Sequence, residues 1–300
     1  MDINTYKIFV TVAETNNISY TAELLGYTQS GVSHSMKRLE KELGLQLFIR
    51  DRYGVHLTPI GRDFLQKVRA LMSENEKLEQ FIYNIKGLEV GSLNIGTLSS
   101  ISVNLLPDII NKFNLEHPNI SINLKEGGIT DLYNWVLESK VDFTFSSLDN
   151  IDTNRNLEFL PILEDKYVAI FPKSYNIENI NSFTISDFNG KDFILPDLSY
   201  DNSIFEILKK ENIKPIFRFL SQNDYSIISM VENGLGFGIL PELAMKREKN
   251  RLQYLPLEPN YFRTIGISMK KFKDLSPAAK TFIYFVANYF DIPHDTLKQK

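Results

Sequence analysis

Between Thr28 and Gly44 the apolar residues Val32, Met36, Leu39 and Leu43 recur at steps of four, three and four, the stripe of a single helix. Thr28 suits the N-cap and Gly44 the left-handed C-cap, so both ends of that helix are written in the chain. With the stripe committed to its own core, the opposite face displays Gln29, Ser30, Ser33, His34, Lys37, Arg38 and Lys41. A helix entering the major groove needs this division: donors and acceptors for base edges, and positive charge for the flanking phosphates. Thr28, Gln29, Ser30, Ser33 and His34 supply the first, and Lys37, Arg38 and Lys41 the second. Taken alone, the same face also reads as the solvated side of an ordinary amphipathic helix. Its neighbours decide.

Residues 4–14 place Tyr6, Phe9, Val10 and Ala13 on one face of a preceding helix. Ser19 reads as the N-cap of a second, short helix that Gly26 closes. After Gly44, residues 45–49 and 55–57 are short apolar-rich runs on either side of Arg50, Asp51, Arg52, Tyr53 and Gly54, the pattern of a hairpin or wing. Arg50 and Arg52 near its tip suit phosphate or minor-groove contact, although solvent-facing turns carry such residues too.

The run from Ile18 through Ala22-Glu23-Leu24-Leu25-Gly26 to Thr28-Gln29-Ser30-Gly31-Val32-Ser33, then Lys37-Arg38-Leu39-Glu40, Leu43-Gly44, Leu47-Phe48 and Leu57-Thr58-Pro59-Ile60-Gly61, resembles the DNA-binding domain of the LysR-type transcriptional regulators. The parts occur in that family's order across the first 65 residues without a gap. Thr21 and the Ser30-Gly31 pair depart from the usual residues and bear on base preference. A glycine inside a helix costs roughly 1 kcal/mol against alanine, less in the first turn, where Gly31 lies. The resemblance implies an all-α winged helix-turn-helix over residues 1–58.

Thr58 before Pro59 marks the start of another helix, expected over residues 59–88 within a linker segment 59–90. Phe64, Leu71, Leu78 and Ile85 repeat every seven residues beside a second track of Val68, Asn75 and Ile82, which is a coiled-coil seam. At about 1.5 Å per residue the helix would run roughly 45 Å, too far to pack usefully on the small domain before it. It therefore wants a second copy. Asn75 either fixes the alignment of the paired helices or faces solvent at a frayed contact. Homodimerisation follows from the seam, and the resemblance points further, to a homotetramer.

Beyond Gly91 short β-rich runs alternate with helical stretches, the grammar of an α/β domain. Strands are expected at 93–97, 120–126 and 141–145, with a helix through Val103, Leu106, Ile109, Ile110 and Phe113 and another at 129–137. A second set comprises strands at 167–171, 193–195 and 216–219 with helices at 202–210 and 224–232. The stretch Val231-Glu232-Asn233-Gly234-Leu235-Gly236-Phe237-Gly238-Ile239-Leu240-Pro241 resembles the effector-binding domain of the same regulators, whose two lobes share the fold of type II periplasmic binding proteins. Its glycines are not a dinucleotide fingerprint, because the order is helix then strand.

The resemblance implies an effector-binding domain over 91–300, with lobe one at 91–161 and 268–300 and lobe two at 162–267. Ligands of such domains lie in the cleft at strand C-terminal ends, where helix N-termini also suit anionic groups. That singles out Ser99, Ser100, Thr130 and Ser146 on one wall and Pro196, Asn223, Asp224 and Phe237 on the other. Each of these is also an ordinary cap or turn residue.

Composition removes the competitors. With no cysteine there are no disulfides, thiolate nucleophiles or cysteine metal sites. His34, His56, His117 and His294 are scattered, with no nucleophile elbow or H-E-x-x-H, so neither an enzyme nor a bound metal or cofactor is expected. No apolar run reaches membrane length, and Asp2, Lys7 and Glu14 interrupt any signal-like segment, which points to the cytoplasm. The net charge of −4 leaves room for a local basic face. The expectation is an oligomeric regulator that reads pseudo-palindromic double-stranded DNA and answers to a small molecule. A constitutive DNA binder whose C-terminal half only oligomerises is the rival reading.

Overall fold

The computed structural model describes residues 2–52, 54–86, 89–147, 157–177, 180–248 and 250–298. They fall into two compact units, residues 1–82 with 138–140, and residues 83–137 with 141–300.

The first unit begins with α1 (Ile3–Thr15), α2 (Ile18–Leu25) and α3 (Gln29–Leu43), followed by β1 (Phe48–Asp51), β2 (Gly54–Leu57) and α4 (Pro59–Ile85). In α1 the buried stripe is wider than expected: Ile8, Phe9 and Val12 are the buried residues, flanked by the partly buried Tyr6, Val10 and Ala13. The cap of α2 is Asn17 rather than Ser19, because Asn17 is extended (φ −145, ψ 114) and its side chain accepts from the Tyr20 N–H, whereas Ser19 is already helical. Thr28 caps α3 by accepting from the Gly31 N–H, and Gly44 closes it at φ 66. Val32, Met36 and Leu39 are buried in one core with Phe9, Leu47 and Val55, and Leu43 packs at its edge.

The wing hairpin starts later than expected. Residues 45–47 are not a strand: Leu45 is exposed, and the Glu40 carboxylate accepts from the Leu47 N–H at 2.8 Å and the Phe48 N–H at 3.0 Å. The β1–β2 pairing is antiparallel, Phe48 opposite Leu57 and Asp51 opposite Gly54. Tyr53 lies outside the described residues.

Thr58 caps α4 by accepting from the Gly61 N–H at 2.9 Å. Gly61 is sterically required, since a Cβ there would lie 2.2 Å from the Leu47 carbonyl oxygen. The helix ends at Ile85 rather than 88, and Leu88 lies outside the described residues. Its first turns do pack on the small domain, contrary to expectation: Leu65 and Val68 are buried in its core, and the Phe64 ring meets Phe9 edge-on at 5.1 Å. From Leu71 onward the seam is free, with Leu71, Leu78, Ile82 and Ile85 at 46%, 57%, 42% and 71% exposure.

The second unit runs β3 (Gly91–Thr97), α5 (Ser99–Asn104), α6 (Leu106–Glu116), β4 (Ile120–Glu126), α7 (Ile129–Leu137), β5 (Phe143–Ser147), β6 (Glu158–Phe171), β7 (Phe183–Thr184), β8 (Asp192–Pro196), α8 (Ser203–Lys210), β9 (Ile216–Ser221), α9 (Asp224–Glu232), β10 (Gly238–Pro241), α10 (Glu242–Met245), β11 (Gln253–Glu258), β12 (Phe262–Met269), α11 (Pro277–Tyr289) and α12 (Asp295–Lys298). The single helix expected through Val103 and Phe113 is two, because Pro107 sits in the first turn of α6 and cannot continue α5. β3 lies between β4 and β5 and pairs in parallel with both, while β12 pairs antiparallel with β5 on one side and β6 on the other. β6 also pairs with β10 and β11, and β8 pairs in parallel with β9.

Three buried clusters define two lobes. One gathers Leu93, Ile95, Phe113, Phe143 and Phe282, and the other two gather Tyr167, Phe171 and Phe188, and Val168, Ile170 and Val231. The long strand β6 serves both, with Leu160 in the first cluster and Tyr167 and Val168 in the others, and β12 adds Ile265 and Ile267 to the first. Ile265 and Ile267 thus share a core with residues 91–161, although the expected lobe boundary lay after 267.

Candidate nucleic-acid interface and inter-lobe site

Burying Val32, Met36 and Leu39 turns the other face of α3 outward, and Gln29, Ser30, His34, Lys37, Arg38 and Lys41 are all exposed on it. Thr28 is exposed too, with its hydroxyl 3.2 Å from that of Ser30 while it holds the cap. Ser33 is half-buried and accepts a hydrogen bond of 3.1 Å from Nη1 of Arg50, which ties the wing to the middle of α3. Arg52, at the end of the same strand pair, is exposed. Arg38 donates from Nε to Oε1 of Glu42 at 2.8 Å, one turn along the helix, so its guanidinium is shared with a carboxylate. The expected base-reading and phosphate-binding side chains therefore lie on one continuous face of the helix and wing, with Ser33 and Arg38 already engaged in local bonds.

Between the two lobes of the second unit, the start of α5 meets side chains from the hinge strands and from the second lobe. Ser99 is buried, with its hydroxyl 3.0 Å from Oη of Tyr200 and its N–H donating to the same oxygen at 3.3 Å. The carbonyl of Tyr200 accepts from the Ile129 N–H at 2.8 Å, an approach that only glycine at 128 permits, since a Cβ there would lie 2.6 Å from Cα of Tyr200. Ser100 is fully buried and accepts from Nη2 of Arg263 at 2.9 Å. Arg263 also donates from Nε to Oδ2 of Asp165 at 2.9 Å, and Oδ1 of Asp165 accepts from the Leu243 N–H.

Burial would pull the Arg263 guanidinium down, but the carboxylates around it, Asp165 foremost, hold it above its ordinary value. Asp224 opens α9, where Asn223 caps by accepting from the Tyr225 N–H at 2.8 Å. Burial pushes the Asp224 carboxyl up to about 6, against the attraction of Arg263 and a hydrogen bond with Ser100, and the neighbouring Asp201 and Asp165 push the same way as burial. Asn104 donates to Oη of Tyr225 at 2.8 Å.

Of the expected cleft residues, Ser99, Ser100 and Asp224 come together here. Asn223 is exposed at the cap beside them, Pro196 is buried at the end of β8, and Thr130 is exposed in the first turn of α7. Ser146 is buried, with its hydroxyl 2.8 Å from that of Ser268. Phe237 is placed apart. Its main chain pairs with Asp192 and Ile194 near the start of β8, whereas the inter-lobe residues gather beyond its far end, and its ring joins Tyr175 at 5.1 Å and Phe171 at 6.4 Å in the second lobe's core. An apolar ring is better served there than in a polar cleft.

Tyr200, Arg263, Asp165, Asn104 and Tyr225 were not among the expected residues. A charge inside an otherwise uncharged strand, as at Arg263, was the available signal for one of them, whereas Asp165 sits in the charged run Glu164-Asp165-Lys166 and nothing in the sequence around Tyr200 marks it. Among the described residues no three His, Asp or Glu side chains converge to hold a metal, and no helix is long and apolar enough to cross a membrane.

Residues 3–62 match the family model described as bacterial regulatory helix-turn-helix protein, lysR family, and residues 86–291 match the LysR substrate binding domain. The HTH-type transcriptional regulator YvbU of Bacillus subtilis is 28% identical over 293 residues, covering 97% of this chain and 99% of its own. In fold the chain resembles full-length CbnR complexed with target DNA, with a TM-score of 0.70 at 17% identity over 96% of this chain and 99% of that one. It also resembles the effector-binding domain of QuiR in complex with shikimate, with a TM-score of 0.61 at 20% identity over 67% of this chain and 98% of that one. With a helix-turn-helix match at one end and a substrate-binding match spanning more than half of its length, the chain belongs to the LysR family of transcription regulators.

Proposed function

We propose that residues 1–58 read an operator, that residues 59–90 pair two copies, and that residues 91–300 bind a small-molecule effector between their lobes. The observation that carries the DNA reading is the split of α3, with Val32, Met36 and Leu39 buried and Gln29, Ser30, His34, Lys37 and Lys41 exposed. Gln29, Ser30, Ser33 and His34, behind the Thr28 cap, face base edges, and Lys37, Arg38, Lys41, Arg50 and Arg52 face phosphates. The free seam from Leu71 to Ile85 supports a helix pair, and two reading heads give the half-site symmetry of a pseudo-palindromic site. A homotetramer in the cytoplasm, without catalysis or cofactor, is the assembly we assign. Effector binding favours one arrangement of the lobes, and that preference is passed to the reading heads.

The test is operator binding by fluorescence anisotropy over a salt series. Lys37→Ala weakens binding on every sequence and flattens the salt slope by about one, whereas Gln29→Ala changes which bases are preferred. Equal losses on all operator variants for both substitutions would contradict the assignment.

A further inference from the structure

At the inter-lobe site several donors are already engaged, and one buried acceptor is not. The N–H groups of Ser99 and Ile129, which an anion would use, already point at the two oxygens of Tyr200. The guanidinium of Arg263 is engaged by Asp165 and Ser100. Against this, Asn104 is 1% exposed and its Oδ1 has no hydrogen-bond partner. Its orientation is fixed, because Nδ2 donates to the Ser100 carbonyl at 3.2 Å and a carbonyl can only accept. Lys246 reaches the main-chain oxygen of Asn104 at 3.3 Å, so its ammonium serves a different atom.

Charge leans the same way. The buried carboxyls of Asp165 and Asp224, 6% and 7% exposed, both neighbour the buried guanidinium of Arg263, which bonds Asp165 directly. Facing Asp224 are Arg263 from β12, Asp165 from β6, Asp201 from the segment before α8, and the Ser100 hydroxyl from α5. The phenols of Tyr200 and Tyr225 stand beside it, both held neutral by burial and by Asp224 itself. Whenever Asp224 is ionised, one buried negative charge is uncompensated, and an incoming carboxylate or phosphate would add a second.

Resting on the reading of this cleft as the effector site, we propose that its ligand is a small cation bearing N–H donors, a primary ammonium or guanidinium compound, with Asp224 as its counter-charge and Oδ1 of Asn104 as an acceptor. An ammonium has donors for both groups and balances the charge that Arg263 leaves over, and the two groups belong to one network, since the Ser100 carbonyl accepts from Nδ2 of Asn104 and the Ser100 hydroxyl bonds Asp224.

The full chain is titrated by calorimetry and thermal shift with putrescine, ethanolamine and agmatine, and with succinate, glycolate and inorganic phosphate. The amines are expected to bind and raise Tm, the anions not, and Asp224→Asn to abolish the amine response. In the wild-type chain, which requires no variant to fold, amine affinity should fall about tenfold from pH 7 to pH 5 as the carboxyl protonates. Amines without effect, an amine response kept by Asp224→Asn, or an affinity that rises toward pH 5 would each overturn the proposal. A response to an anion that is lost in Ser100→Ala would overturn only the charge preference and leave the cleft as the effector site. An anion or amine response indifferent to both substitutions would remove the cleft reading itself.

Discussion

Glu40 gives the Leu-Glu pair before the cap glycine its physical meaning. Its carboxylate sits in the last turn of α3 and accepts from two consecutive N–H groups, Leu47 and Phe48, just where the chain turns into the hairpin. Glu40→Ala leaves both part-buried donors without an acceptor. The expected loss is about 1–3 kcal/mol, read as a lower urea midpoint of the first unit. Operator affinity should fall with it, because the Arg50–Ser33 contact depends on where the wing begins. Gly61 is the companion case, a residue whose place in the motif is explained by the Leu47 carbonyl that a side chain would strike.

At the scale of elements, α4 divides its labour along its length. The seven-residue repeat is continuous in the sequence, yet Phe64 and Val68 are consumed by the core of the small domain and only the residues from Leu71 onward remain to pair with another copy. Asn75 lies in that remaining part, where its Nδ2 donates to Oε1 of Glu79 at 3.0 Å along its own helix. Asn75→Leu should keep or raise the stability of the paired helices while loosening their alignment, giving mixed species in analytical ultracentrifugation. A clean fall to monomer would show that Asn75 holds the pair together.

For the whole molecule, the buried Asp224 between the lobes adds a pH dependence of its own to stability. Asp224 is raised from 3.8 to about 6 in the folded state, so its ionisation costs the fold: the contribution of this one group is most favourable below pH 3.8, declines as the pH climbs to about 6, and is flat above. Asp224→Asn removes that decline. The variant should match the wild type near pH 3.5 and exceed it by about 2–3 kcal/mol at pH 7.5, measured by urea unfolding across the pH range. A constant difference at all pH values would mean that Asp224 does not titrate in this window.

Local grammar was sufficient wherever an element is specified by its own residues. Thr28, Gly44 and the stripe between them fixed α3 and the face it turns outward, and the runs at 120–126, 129–137 and 224–232 became β4, α7 and α9 with those bounds. It failed where a distant group decides, as at the wing's start, which depends on Glu40; the break between α5 and α6 was legible in Pro107 but went unread, and β11, β12 and α11 received no assignment. The cleft shows the same limit most clearly. Ser99, Ser100 and Asp224 could be named because they begin helices, a property local in sequence. That Tyr200 would take the donors at Ser99 and Ile129, and that Arg263 would neighbour both Asp165 and Asp224, could be settled only by folding. Those partners lie 98 and 101 residues apart, and it is burial that turns their proximity into a charge imbalance.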